Sequence, residues 1–374
     1  MITFGFLSTY PPTLCGLASF TAALRAALPS GAVGGVVRAV DAESPARPAE
    51  PGGVVGDLVA GSAASCRQAA ALLSREDVAI VQHEYDIYGG RDGDDVLRVL
   101  AGLPVPVIVV LHTVLTAPTA HQRAVLNGVL AAAAAVVVMS EIARARLVAG
   151  YDVPEGRLVV IPHGAVVPRD AGTVVPHRSQ HRQILTWGLL GPGKGIEAMA
   201  LLPRREPAPR YLIAGRTHPK VLAWQGERYR RSLRLRIEQL GVTDLVRFDS
   251  RYLDPVSLSR MISHAEVVLL PYDSREQVTS GVLIEAVTAR TPVVATRFPH
   301  AVELLSDGAG LLVNHQDPAA IAAAVHTVLA DRAVADAMAA AGGIAARRLG
   351  WASVAKQYCG LAAEVMAARA PVVA

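Results

Sequence analysis

Lysine is nearly absent from this chain: among 374 residues it stands only at positions 194, 220 and 356, and arginine supplies almost all of the positive charge. Cysteine is equally scarce. Cys15, Cys66 and Cys359 lie far apart without the paired spacing of a metal site, and an odd number cannot be fully bridged within one chain. They are expected to be reduced thiols in a cytoplasmic protein, with no bound metal. Charged residues make up only 18% against 52% hydrophobic residues, which excludes a solvated, disordered chain and supplies material for buried sheets. No dense basic tract interleaved with aromatics stands out, which argues against sequence-specific nucleic-acid binding. Long uninterrupted apolar runs are also missing. The run 124–139 contains Asn127, is too short for a usual span and reads as a helix followed by a strand, so no transmembrane segment is expected. The run 2–7 has no positive charge before it and reads as a first strand rather than a signal peptide.

What is present is an alternation of apolar strands and helical patterns along the whole chain, the rhythm of parallel sheets covered on both faces. Strands are expected at 3–7, 34–40, 78–82, 105–111, 135–139 and 158–161, then at 184–188, 210–214, 245–248, 267–270, 292–295 and 310–312. The length suits two α/β domains. The fold class expected is therefore two Rossmann-like domains whose parallel sheets face each other across a cleft. A Pro/Gly-rich connection at about 162–182 separates residues 1–170 from 171–345; residues 346–374 form a helical tail that packs back toward the first domain and ends near Pro371. Charge divides unevenly. Residues 1–180 hold 13 Arg and Lys against 15 Asp and Glu, the remainder 23 against 17, so the excess positive charge of the second half suits a diphosphate-bearing ligand or solubility.

Three loops carry candidate chemistry. The first follows strand 3–7 and runs Ser8-Thr9-Tyr10-Pro11-Pro12-Thr13-Leu14-Cys15-Gly16. Gly16 at a helix start either lets a ligand approach the backbone or simply makes a tight turn. The second, Gly188-Leu189-Leu190-Gly191-Pro192-Gly193-Lys194-Gly195, places one of the three lysines beside three nearby glycines. It lacks the Gly-Lys-Ser/Thr ending of a P-loop, and the position of Lys194 favours phosphate contact over a merely solvated loop lysine. The third, from Pro271 through Gln277 and Ser280-Gly281-Val282-Leu283 to Glu285, follows an apolar strand and enters a helix whose first amides can receive phosphate. Glu285 can accept hydrogen bonds from two ribose hydroxyls, or is a solvent-facing helix acid. His83, His112, Ser140 and His163 each follow a strand, where open α/β sheets collect ligand groups. Near His83, Tyr85 and Tyr88 either stack on an acceptor sugar or pack as structural rings. His300 and the other dispersed histidines receive no catalytic role.

Taken together, Pro11-Pro12…Gly16, His112-Thr113, Ile161-Pro162-His163-Gly164, Gly188…Lys194-Gly195 and the block from Glu285 to Ala295 resemble retaining glycosyltransferase family 4, whose two-domain architecture is the GT-B fold. The resemblance spans both halves. It implies that Gly16 approaches the donor diphosphate or sugar, that Lys194 neutralises the leaving diphosphate, that Glu285 binds the ribose and that His112 faces the transferred sugar. Two positions depart from the family pattern: Gln277 stands where a Glu is common, and Leu189 where an Arg is common, so Arg216 is the leading substitute cation and Arg275 the next.

The implied reaction moves a hexose, mannose being the family-based guess, from a nucleotide-diphosphate sugar such as GDP-mannose or a UDP-sugar to a saccharide, lipid or natural-product hydroxyl. The donor is a co-substrate, and no separate cofactor is expected. With no carboxylate identifiable as a covalent nucleophile, a front-face, dissociative substitution is the expected retaining route. Contact with the inner membrane surface is compatible with the sequence but not required by it. The alternatives are a glycoside phosphorylase, a sugar-nucleotide epimerase and a non-catalytic nucleotide-sugar sensor.

Overall fold

The computed structural model describes residues 1–42, 53–167, 182–197 and 208–369. Positions 168–181 of the expected connection, and Pro371, lie outside the described residues. The chain divides into two compact units, Met1–Gly164 with Trp351–Ala374, and Ala165–Gly350.

Unit 1 is built on a seven-stranded sheet of β1 (Phe4–Ser8), β2 (Val33–Val40), β3 (Val54–Val59), β4 (Val78–His83), β5 (Val107–Leu111), β6 (Ala135–Val138) and β7 (Leu158–Val160). All neighbours pair in parallel, in the order β3-β2-β1-β4-β5-β6-β7. The central strands are buried along their whole length, which is why they read as unbroken apolar runs. The edge strand β3 was not anticipated. It carries Asp57, whose carboxylate pairs with the buried guanidinium of Arg38 on β2 at 2.8 Å, so its pattern is mixed rather than apolar. The terminal helix Trp351–Arg369 completes this unit's core: Val354, Ala355, Tyr358 and Leu361 pack with Phe20 and Leu24 of the helix Gly16–Ala27.

Unit 2 has six parallel strands, β8 (Gln183–Trp187), β9 (Arg210–Ala214), β10 (Val246–Asp249), β11 (Val267–Leu270), β12 (Val293–Thr296) and β13 (Gly310–Val313), in the order β10-β9-β8-β11-β12-β13. Both sheets are thus open and doubly wound, the Rossmann-like pattern. Strand order reverses between β1 and β4 in unit 1 and between β8 and β11 in unit 2. At such a reversal the following loops diverge to opposite faces and leave a crevice at the strands' carboxyl ends. Among the described residues, no single helix is long and apolar enough to cross a membrane.

Candidate functional site

In unit 2 the glycine loop after β8 and the polar loop after β11 meet at the reversal. The carbonyl of Gly193 accepts the amide of Asp273 at 2.9 Å. Gly188, Gly193 and Gly195 take φ of +123°, +84° and +62°, a region side chains avoid. At Gly195 the need is also steric, because a Cβ there would collide with the carbonyl oxygen of Pro271. The result places Lys194 Nζ over the ring of Tyr272, 4.1 Å from its centroid. Tyr272 is buried and stacked on Phe298, so the platform is rigid. Lys194 has no carboxylate within ion-pair distance among the described residues. A ring face compensates an ammonium only partly, and burial pushes its pKa down to about 8.

Glu285 sits one turn into the helix Gly281–Thr288. Its Oε2 accepts the indole N–H of Trp187 at the end of β8, 3.2 Å away, and Oε1 has no partner among the described residues. Burial pushes the carboxyl up to about 7, with the indole N–H opposing the shift. At the helix start the expectation for the amides needs correction. Ser280 N–H donates to Nδ1 of the buried His300 at 2.9 Å, and Leu283 N–H donates to the Ser280 hydroxyl that caps the helix at 3.2 Å. Those two amides are committed to the protein. Gly281 and Val282 hold the other two of the four amides that a helix start leaves without an intrahelical partner. Gln277 is tied into the same loop. Its side-chain amide donates to Thr279 O at 3.2 Å, and its carbonyl accepts His300 N–H at 3.2 Å. Arg216 and Arg275 are exposed. The carbonyl of Arg216 accepts Leu190 N–H at 2.8 Å, which holds the Arg216 backbone beside the glycine loop.

In unit 1, Cys15 caps the helix that begins at Gly16, its sulfur accepting Ala18 N–H at 3.3 Å. A Cβ added to Gly16 would meet nothing within 4 Å, so packing does not demand glycine there. His112 follows β5 and lies edge-on to Phe20, ring centroids 5.1 Å apart; Phe20 also meets His163 and Trp351. Gly164 leaves the room that Trp351 fills, since a Cβ there would enter the indole ring. Nε2 of His112 is 2.7 Å from the Gln82 side-chain amide, a neutral partner whose hydrogen bond runs in the direction set by the ring's tautomer. Burial, together with the neighbouring imidazoles of His163 and His83, lowers its pKa to about 3, and burial lowers His83 and His163 to about 4. All three are neutral imidazoles near neutral pH.

The acceptor-side expectation is corrected. His83, Tyr85 and Tyr88 are buried, and the Tyr88 hydroxyl donates to the carbonyls of Gln82 at 2.5 Å and Leu7 at 3.2 Å. Tyr88 is a strut between β1 and β4, and neither tyrosine ring presents a face to a sugar. Among the described residues, no group of three His, Cys, Asp or Glu side chains is placed to hold a metal ion.

Residues 176–343 match the family model described as Glycosyl transferases group 1, and residues 33–167 match Glycosyltransferase Family 4. Anabaena HepE, whose crystal structure is in complex with UDP and glucose, shares 16% identity and aligns with a TM-score of 0.74 over 97% of this chain and 100% of that one. The chain has the GT-B fold, and its two halves are similar to glycosyltransferase families. Sucrose-phosphate synthase from Thermosynechococcus elongatus likewise aligns with this GT-B chain at a TM-score of 0.72, with 19% identity, over 98% of it and 100% of the synthase. The D-inositol 3-phosphate glycosyltransferase of Corynebacterium urealyticum is 31% identical over 225 residues, 56% of the GT-B chain and 51% of the relative. The chain spans about half the length of this relative and of its Corynebacterium efficiens counterpart.

Four residues with defined roles around these GT-B sites carried no local signal in sequence: Trp187 against Glu285, Tyr272 under Lys194, His300 against Ser280 and Gln82 against His112. Each is a partner from a different strand end, visible only once the sheet order is known.

Proposed function

We propose that the chain transfers a hexosyl group from a nucleoside diphosphate sugar to a hydroxyl-bearing acceptor, with retention at the anomeric carbon. The observation that carries this reading is that, among the described residues, the strand ends of unit 2 hold an ammonium without a carboxylate partner and a carboxylate without a cation. A nucleoside diphosphate answers both. Its phosphate oxygens take Lys194 and the amides of Gly281 and Val282, and its vicinal ribose hydroxyls donate to Glu285. Arg216 is the further cation for the diphosphate, and Gln277 offers its free side-chain oxygen to a sugar hydroxyl. Gly16 and the neutral His112 are the sugar-facing groups of unit 1, whose role is acceptor-side, while unit 2 binds the nucleotide.

In the reaction the bond between the anomeric carbon and the diphosphate oxygen breaks, and its electron pair leaves with the nucleoside diphosphate. The acceptor oxygen bonds to the same face of the sugar, and its proton passes to a departing phosphate oxygen. Lys194 and the two amides stabilise the charge that develops on the leaving group, the step where fixed cations and dipoles act most strongly. A structure of the same fold in complex with UDP-glucose supports a nucleotide-linked hexose as donor, and a relative named D-inositol 3-phosphate glycosyltransferase supports glycosyl transfer. GDP-mannose and UDP-hexoses head the panel to test against saccharide, lipid and natural-product acceptors. Acceptor-dependent release of nucleoside diphosphate, with a product of unchanged anomeric configuration by NMR, supports the reading. Sugar isomerisation without acceptor points to an epimerase instead, and an inverted product rules out retention.

A further inference from the structure

One stretch carries the chain's whole net charge. Residues 219–251 hold eight Arg and Lys against four Asp and Glu, a balance equal to the chain's +4, so the other 341 residues are neutral overall. The helix Arg228–Gln239 buries Tyr229, Arg230, Leu233 and Ile237, and it turns Arg228, Arg231 and Arg236 to solvent. None of those three has an ion-pair partner among the described residues. Just ahead of it, across Gly226 and Glu227, the helix Pro219–Gln225 contains no buried residue at all. Trp224 is 81% exposed there and Leu222 43%. A seven-residue helix gains little stability by itself, and one that leaves its largest apolar side chain in water gains little from packing.

We infer that this surface of unit 2 docks on an anionic lipid bilayer, with Trp224 and Leu222 entering the headgroup boundary and Arg228, Arg231 and Arg236 facing the phosphates. The two halves of the surface demand different partners, and a bilayer supplies both. Unpaired arginines are drawn to a negative surface, and an indole settles at the level where apolar chains meet polar headgroups. A nucleic acid would satisfy the arginines and stack on Trp224, but it would leave Leu222 in water. The surface shares no residue with the Lys194 and Glu285 crevice, so the inference stands or falls independently of the reaction proposed above.

The test uses the full chain with phosphatidylcholine vesicles made with and without phosphatidylglycerol. Co-sedimentation is expected only with phosphatidylglycerol, and it should weaken at least about tenfold as salt screens the arginines. Tryptophan emission should shift to the blue on binding. That shift should vanish in Trp224→Ala, because Trp187 is buried and Trp351 partly so. Arg231→Glu with Arg236→Glu should reduce binding by about tenfold or more while circular dichroism and melting temperature hold, which separates lost docking from lost folding. Equal binding to both vesicle types, or full binding by both variants, overturns the inference. Capture on duplex DNA with no vesicle binding overturns it in favour of a nucleic-acid partner.

Discussion

The indole N–H of Trp187 is the one hydrogen-bond donor the described residues give to the Glu285 carboxylate, at 3.2 Å. One neutral donor solvates a half-buried carboxylate poorly, which is why burial carries its pKa to about 7. Ribose hydroxyls donate best to the ionised form, and that form is lost as pH falls through about 7. Donor affinity should therefore rise with pH across that point. Glu285→Gln cannot ionise and should bind donor roughly tenfold or more weakly with the acidic limb gone. Isothermal titration at several pH values reads both effects, and an unchanged limb in the variant would detach Glu285 from the nucleotide.

Lys194 gives the opposite limb. Burial lowers its pKa to about 8, so the ammonium is present below that pH and is lost above it. Diphosphate binding and turnover should decline as pH passes about 8 and, with Glu285, produce a bell whose apparent values shift when ligand couples the two groups. Lys194→Met should lower kcat by about 10²–10³ and flatten the alkaline limb. Single-turnover kinetics would show the loss in the chemical step. A variant that binds weakly but turns over at the normal rate would contradict this role.

Arg230 braces the loop that bears Arg216. It is buried, and it donates to Gly215 O at 2.7 Å, Ser250 Oγ at 2.8 Å and Glu227 Oε2 at 3.3 Å, the last also accepting the Thr217 hydroxyl at 2.5 Å. Gly215 in turn fits against Gly188, with no room for a Cβ between them. Arg230→Met takes the donor from the Gly215 carbonyl and the cation from Glu227, at a cost of about 1–3 kcal/mol in stability. Thermal melts should show the loss. Because the glycine loop loses its backing, the variant's donor KM should rise more than its kcat falls, whereas Arg230→Lys should recover part of both.

The strands were legible because a parallel strand buried on both faces must be apolar throughout, as in Val107–Leu111 and Val267–Leu270. β3 was not, because an edge strand that pairs Asp57 with Arg38 looks like a loop in sequence. The glycines and Lys194 announced themselves by local density. The supporting partners did not: Tyr272 lies under Lys194, His300 meets Ser280 and Gln82 meets His112, each from a position with ordinary neighbours in sequence. Tyr85 and Tyr88 show the converse: aromatic residues after a strand looked like a binding surface, and the fold spends them on burial.

Gln82 makes the state of His112 a matter of chemistry that can be altered. With a neutral partner on Nε2 and a buried ring, His112 should remain unprotonated down to a pH of about 3. Gln82→Glu puts a carboxylate on that nitrogen, stabilises the imidazolium and should raise the His112 pKa. The ring's NMR shifts should then titrate at higher pH than in the wild type, and turnover should acquire a new acidic limb. Identical titration in both proteins would mean that the 2.7 Å contact does not govern the protonation of His112.

Gly16 and Gly195 test function against packing. Gly195 has φ of +62° and no space for a Cβ beneath the Pro271 carbonyl, so Gly195→Ala must strain or displace the loop that holds Lys194. It should lower the melting temperature, consistent with a penalty of about 1–3 kcal/mol for a forced backbone. Gly16 opens a helix, and an added methyl there meets open space. By the protein's own physics Gly16→Ala should be neutral or slightly stabilising, because alanine is the better helix residue. If a diphosphate or sugar lies against that bare backbone, the same methyl stands where the ligand must be, and donor KM should rise about tenfold or more with no loss of stability. Measuring melting temperature and donor KM for the pair separates the two demands for glycine. A Gly16→Ala protein that is both stable and fully active would show that the loop is only a turn.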